Sequence, residues 1–135
     1  MKMFSRRSVL KIGLAAASAA LVRPATSQTV DYKEMARGPG VVQRVYGETP
    51  AMIPGYKTVS LRDVIVQPGA KTKENNVMSN AMVCHVTEGE LQVVQDSKTI
   101  TAKKNYVWTC NKGQTEHVIN NGKVVAIMRI TDLKV

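Results

Sequence analysis

Aromatic residues are scarce in this chain. Trp, Phe and Tyr make up 4% of 135 residues, as one Trp, one Phe and four Tyr. Single-stranded nucleic acid is held by several rings interleaved with basic residues. No such run is present, so nucleic acid is excluded as a partner. His and Cys number two each, and no close-spaced Cys/His zinc pattern, nucleophile elbow or phosphate loop occurs. Nor does any apolar run reach the roughly 20 residues of a membrane-spanning helix. A sustained helical period is absent after the first segment, and "DYKEMAR" (31–37) is enough for one short turn.

What is there begins with an address. "SRRSVLK" (5–11) carries paired arginines, "IGLAAASAALV" (12–22) is a short apolar run, and Ala25-Thr26-Ser27 is a small-x-small site. This order reads as a bacterial twin-arginine export signal over residues 1–27, cut after Ser27. It places the protein in the periplasm with no stable membrane span. The whole chain has 19 basic and 10 acidic residues. Lys2, Arg6, Arg7, Lys11 and Arg23 lie in the signal with no acid, leaving 14 basic against 10 acidic residues. That modest excess speaks to solubility rather than to a polyanionic partner. The 108 residues from 28 to 135 are enough for one core. They divide into an arm with an edge strand (28–55) and a barrel (56–135). In an oxidising compartment, Cys84 and Cys110 are expected as a disulfide or as buried thiols, with a pair of thiolate ligands as the alternative.

Short runs rich in Val, Ile and Thr follow, closed by Gly, Pro, Asn, Asp and Ser. They are "VVQRVY", "YKTVSLRDVIVQ", "AMVCHVTE", "ELQVVQ", "KTITAK", "YVWTC", "EHVIN" and "KVVAIMRI". About eight strands in one small domain predict an all-β antiparallel sandwich or barrel. A two-residue turn at Asp96-Ser97 sets Leu91 opposite Ala102 and Val93 opposite Ile100, apolar against apolar. Extended further, this register sets Cys84 opposite Thr109; a one-residue bulge would set it opposite Cys110. A turn at Asn121-Gly122, a strong hairpin signal, sets His117 opposite Ala126. His117 would then share the inward face of Val124, Ala126, Met128 and Ile130, as a ligand or as a satisfied core residue.

Two stretches resemble the cupin superfamily over about residues 59–130. "VQPGAKTKENN…MVCHVTEGELQVV" is similar to the first cupin motif. "YVWTCNKGQTEHVINNG" is similar to the second, with Gly113, His117 and Asn120 or Asn121 matching in kind and one extra residue between Gly113 and His117. The resemblance implies a jelly-roll barrel (double-stranded β-helix). It also implies a metal site of His-x-His and Glu from the first motif and His from the second. The Glu position falls on Met82, and the His positions on Asn75 and Val77 or on Asn76 and Met78. Only His117 remains, so the usual metal is not expected.

Softer groups stand in their place. Met82, Cys84 and Val86 share one strand face and His85 the other. Met78, Met82, Cys84 and His117 form a candidate set for copper or another divalent metal, since thiolate and thioether groups suit Cu(I). The candidate ligand pocket comprises His117, Met82, Cys84 and Asn76. Acid–base partners are few: Glu116 points away from His117, and Glu74 is the acid expected at the barrel mouth beside Lys71 and Lys73. No catalytic residue is assigned. Three readings follow: a barrel binding an unidentified small molecule, a soft-metal cupin, and an enzyme of isomerase or dioxygenase type using His117. The apolar second face of the last strand, with Val125 and Ile127, fits a homodimer or cover by residues 31–53.

Overall fold

The computed structural model describes residues 31–135; the export signal and its cut lie outside them. Nine strands follow in chain order: β1 (Lys33–Ala36), β2 (Val41–Pro50), β3 (Thr58–Val66), β4 (Ala81–Glu88), β5 (Glu90–Gln95), β6 (Lys98–Lys103), β7 (Val107–Cys110), β8 (Glu116–Ile119) and β9 (Ala126–Lys134). No helix occurs among the described residues. The strands form a six-stranded sheet, β1-β2-β3-β9-β4-β7, and a three-stranded sheet, β6-β5-β8, with every pairing antiparallel. This is the expected all-β jelly-roll barrel.

Period-two alternation builds the core between the sheets. Val64, Val66, Met82, Cys84, Val86, Met128 and Ile130 come from the larger sheet; Leu91, Val93, Ala102 and Val118 come from the smaller. Val41 of β2 joins the same core at 1% exposure, so the first long strand is built into the barrel. The β5–β6 hairpin has the expected register, with Leu91 opposite Ala102 and Val93 opposite Ile100. Asp96 provides the positive φ (52°) that its turn needs. The open edge of β8 is covered by residues 69–78, which run beside it through bridges Lys71 to Ile119 and Val77 to Thr115. Covering an edge this way removes a row of unpaired backbone groups.

Three expectations are corrected. Residues 33–36 form a strand, not a helical turn, because they pair along β2 from Lys33–Val45 to Ala36–Val42. Asn121-Gly122 does not close a hairpin. A tight type I′ turn needs positive φ at both central residues, and neither has it. Strand β9 is bonded on both sides by β3 and β4, so β8 pairs with β5 instead. The chain changes sheets between β8 and β9, and the buried Asn120 ties the crossing. Its Nδ2 donates to the Val66 and Val124 carbonyls, and its Oδ1 accepts from the Gly122 N–H.

The third correction concerns the cysteine register, since neither Thr109 nor Cys110 lies opposite Cys84. Met82 pairs with Cys110, and Cys84 pairs with Trp108. Cys84 and Cys110 are therefore diagonal on one face, both buried and both free thiols. Diagonal Cα spacings are about 7–8 Å, at or beyond the reach of a disulfide. Burial pushes the Cys84 thiol far up and the nearby Glu116 adds to it; burial also raises Cys110, to about 11. A thiol reagent is thus expected to find no fast-reacting cysteine in the folded protein and two after denaturation under non-reducing conditions. One cross-linked pair under both conditions would contradict this register.

Candidate functional site

The inward face of the barrel is not apolar throughout. Alternation along β3 places Ser60 and Arg62 in phase with Val64, and along β9 it places Asp132 in phase with Met128 and Ile130. Gln43 does the same on β2, and Glu116 on β8. These side chains help to line a cavity of about 490 Å³, whose wall also includes Arg37, Lys73, Asn76, Met78, Met82 and Lys134. The volume is that of a small-molecule site, commonly about 300–1,000 Å³.

Arg62 and Asp132 set the polar character of one wall. Arg62 Nε donates to Asp132 Oδ2 at 2.7 Å, and Nη2 donates to Oδ1 at 3.1 Å. The Asp132 side chain is 7% exposed and that of Arg62 23%. A buried carboxylate is tolerated because a guanidinium meets both of its oxygens in a fork. Arg62 Nη2 also lies 4.0 Å from the Met82 sulfur.

Glu116 stands on the other sheet. It is 5% exposed. Trp108 Nε1 donates to its Oε2 at 3.1 Å, and Gln95 Nε2 to the same oxygen at 3.4 Å. Burial pushes the carboxyl above its ordinary range, outweighing the opposing pull of Trp108, Cys110, Gln95 and the Arg62 charge. A raised carboxyl favours the fold at low pH. Its contribution is complete below the unfolded value near about 4.3 and is lost as pH rises through the folded value. Glu116→Gln is therefore expected to match the native protein in urea at about pH 4 and to exceed it increasingly toward about pH 8. A difference independent of pH would contradict the burial account.

The residues singled out from sequence divide. Met78, Met82 and Asn76 line the cavity wall. Met82, Cys84 and Val86 share the inward face, as expected from alternation, at 3%, 0% and 0% exposure. Cys84 lies opposite Ile130 and Trp108 and is not part of the cavity wall. The inward facing of His117 is corrected. Val118 and Glu116 take the inward positions of β8, and His117 pairs with Val94 on the other face. It is nevertheless among the residues that line the cavity and lies near Glu74. Glu74 is also corrected: it is exposed and ion-paired with Lys71 at 2.6 Å. The acids of the cavity are Glu116 and Asp132.

This arrangement fits a four-ligand metal site poorly. Among the described residues no group of three or more His, Cys, Asp and Glu side chains is placed to hold an ion. The candidate soft set keeps two thioethers in the cavity, while its thiol is held protonated behind the wall and its imidazole belongs to the opposite strand face.

No protein-family model and no curated protein sequence matches the chain. Solved structures do. An RmlC-like cupin from Shewanella frigidimarina matches with a TM-score of 0.62 and 13% identity, over 78% of this chain and 86% of that one. A predicted oxalate decarboxylase from Thermotoga maritima gives 0.62 and 13%, over 81% and 96%. KdgF from Halomonas sp. gives 0.61 and 10%, over 76% and 87%. The chain has the cupin fold. At these identities the likeness establishes the barrel and leaves its chemistry to the residues lining it.

Proposed function

We propose that this chain is an exported cupin-fold receptor for a small polar molecule, bound inside the barrel without the usual cupin metal. The carrying observation is the cavity of about 490 Å³ into which Gln43, Ser60, Arg62, Glu116 and Asp132 all project. A wall of convergent polar groups on a rigid sheet scaffold fits ligand recognition. The paired arginines at residues 6 and 7 and the small-residue site at 25–27 support a periplasmic location. Cell fractionation, with the mature N-terminus read by mass spectrometry, tests that location. Isothermal titration of the mature protein with small polar metabolites tests the receptor reading. Saturable binding that is lost in Arg62→Met is expected; binding unaffected by that change would place the ligand elsewhere.

A copper-binding reading is favoured by one observation: Met78 and Met82 line the same cavity. Stoichiometric copper in protein from the native host, lost on changing both methionines to Leu, would favour it over the receptor reading. An enzymatic reading would rest on Glu116 as the buried acid rather than on His117. The half-buried outer face of β9 and β4, with Ile127, Leu133 and Val83, supports a homodimer in part only. Arg129 on that face is already engaged by Asp63, and its guanidinium lies over the Tyr46 ring from the N-terminal region. Sedimentation of the native protein distinguishes dimer from monomer.

A further inference from the structure

Two polar atoms of residues lining the cavity have no nitrogen or oxygen partner from the protein. Arg62 uses Nε and Nη2 on Asp132, and none of its hydrogen bonds involves Nη1. Glu116 receives Trp108 and Gln95 on Oε2, no nitrogen or oxygen donor reaches Oε1, and the Cys110 thiol lies beside the carboxyl. Among the described residues no buried side-chain nitrogen or oxygen lacks a partner. Arg62 Nη1 and Glu116 Oε1 are therefore not fully buried, and both residues line the cavity. They come from opposite sheets, β3 and β8, so they approach the same space from two sides. Arg37 and Lys73 add positive charge to the wall, and Lys134, paired with Glu48 at 3.1 Å, stands at it too.

We infer that the cavity takes a small carboxylate, its anionic head held between Arg62 Nη1 and the Glu116 carboxyl, with hydroxyls along the Gln43, Ser60 and Asn76 side. This inference rests on the receptor reading and names its ligand class. The guanidinium edge left free by Asp132 supplies the charge-assisted bond. Glu116, whose carboxyl burial pushes above its ordinary range, donates from the other side while it carries its proton, as a neutral carboxylic acid can. Loss of that proton turns the donor into a second anion facing the ligand, so affinity falls as pH rises. The Arg62 charge on β3 and the Cys110 thiol on β7 act on Glu116, the Cys84 thiol on β4 lies within its reach, and Asp132 on β9 and Lys73 in the 69–78 segment line the same cavity. His117 lies on the opposite face of β8.

The test is an NMR titration of the isotopically labelled mature protein above about pH 5, where the probe carboxylates stay ionised. Gluconate and acetate are the probes; sorbitol and acetamide are their uncharged counterparts. Gluconate is expected to shift the Arg62 side-chain and Glu116 carboxyl signals and to bind at least tenfold more tightly than sorbitol. Affinity falls tenfold or more with rising pH in the native protein. Glu116→Gln keeps binding and flattens the profile, Glu116→Ala weakens binding throughout, and His117→Gln leaves the profile in place. Equal binding of sorbitol and gluconate at these signals would overturn the carboxylate assignment and leave the receptor reading standing. So would carboxylate shifts confined to surface lysines. No shift of any cavity signal by all four probes would overturn both.

Discussion

Arg62→Met is expected to cost about 3 kcal/mol and to lower the melting temperature by about 12–24 °C. The reason is what it leaves behind. The Asp132 side chain is 7% exposed, and its hydrogen bonds all come from Arg62, at 2.7 and 3.1 Å. Removing the guanidinium strands a carboxylate in the barrel wall, and an unpaired buried charge costs far more than the pair contributes. The value sits at the low end for such pairs because about a quarter of the Arg62 side chain meets solvent. Replacing both partners, as Arg62→Met with Asp132→Leu, is expected to recover most of the loss, since the orphaned charge is then gone. Thermal unfolding of the single and double variants measures this. If the double variant is as unstable as the single one, the loss comes from packing and not from the stranded carboxylate.

Gly89→Ala is expected to be comparably damaging, at about 3 kcal/mol, for an unrelated reason. Gly89 is the corner at which the chain leaves β4 in the larger sheet and enters β5 in the smaller. Its φ is 72°. A Cβ there would lie 2.7 Å from the Val125 carbonyl oxygen and 2.9 Å from the Ala126 Cα. Both are backbone atoms at the start of β9, and Ala126 is fully buried. The strand entry must shift, and with it the register that holds Met128, Ile130 and Asp132 in place. Gly55 is the control. It also has positive φ, at 89°, but a Cβ there would meet nothing within 4 Å. Gly55→Ala is expected to cost only about 1 kcal/mol of backbone strain. Equal losses at the two sites would remove the steric part of the explanation.

Much of the barrel was legible because strand alternation and short turn signals are local. The runs that became β2 to β9 and the β5–β6 register all follow from period two and a turn at Asp96-Ser97. The partner of β8 was not legible. Asn121-Gly122 is a strong hairpin dipeptide, yet strand pairing is decided by which edges are free, and β9 has none. That one choice reversed the phase of β8, turning His117 inward on paper where Glu116 and Val118 point inward in the structure. Arg62 and Asp132 carry a readable signal. Each stands two residues from an inward apolar side chain, Val64 and Ile130, and they have opposite charge. Inward charges of opposite sign on two strands predict a buried pair once the strands are neighbours. The Cys84–Cys110 relation depends on extending the β5–β6 register past the corners where the chain changes sheets, and there a one-residue slip reverses every facing.

We propose that a small polar molecule, not a metal ion, is bound by the inward polar groups of the barrel. Thermal shift of the native protein and Arg62→Met, each with small carboxylates, polyols and Cu(I), tests it most directly. The account predicts that at least one organic compound raises the native melting temperature by several degrees, as ligand binding at well above its Kd requires, and that this rise is absent in the variant. Stabilisation by Cu(I) alone, undiminished in Arg62→Met, would contradict it.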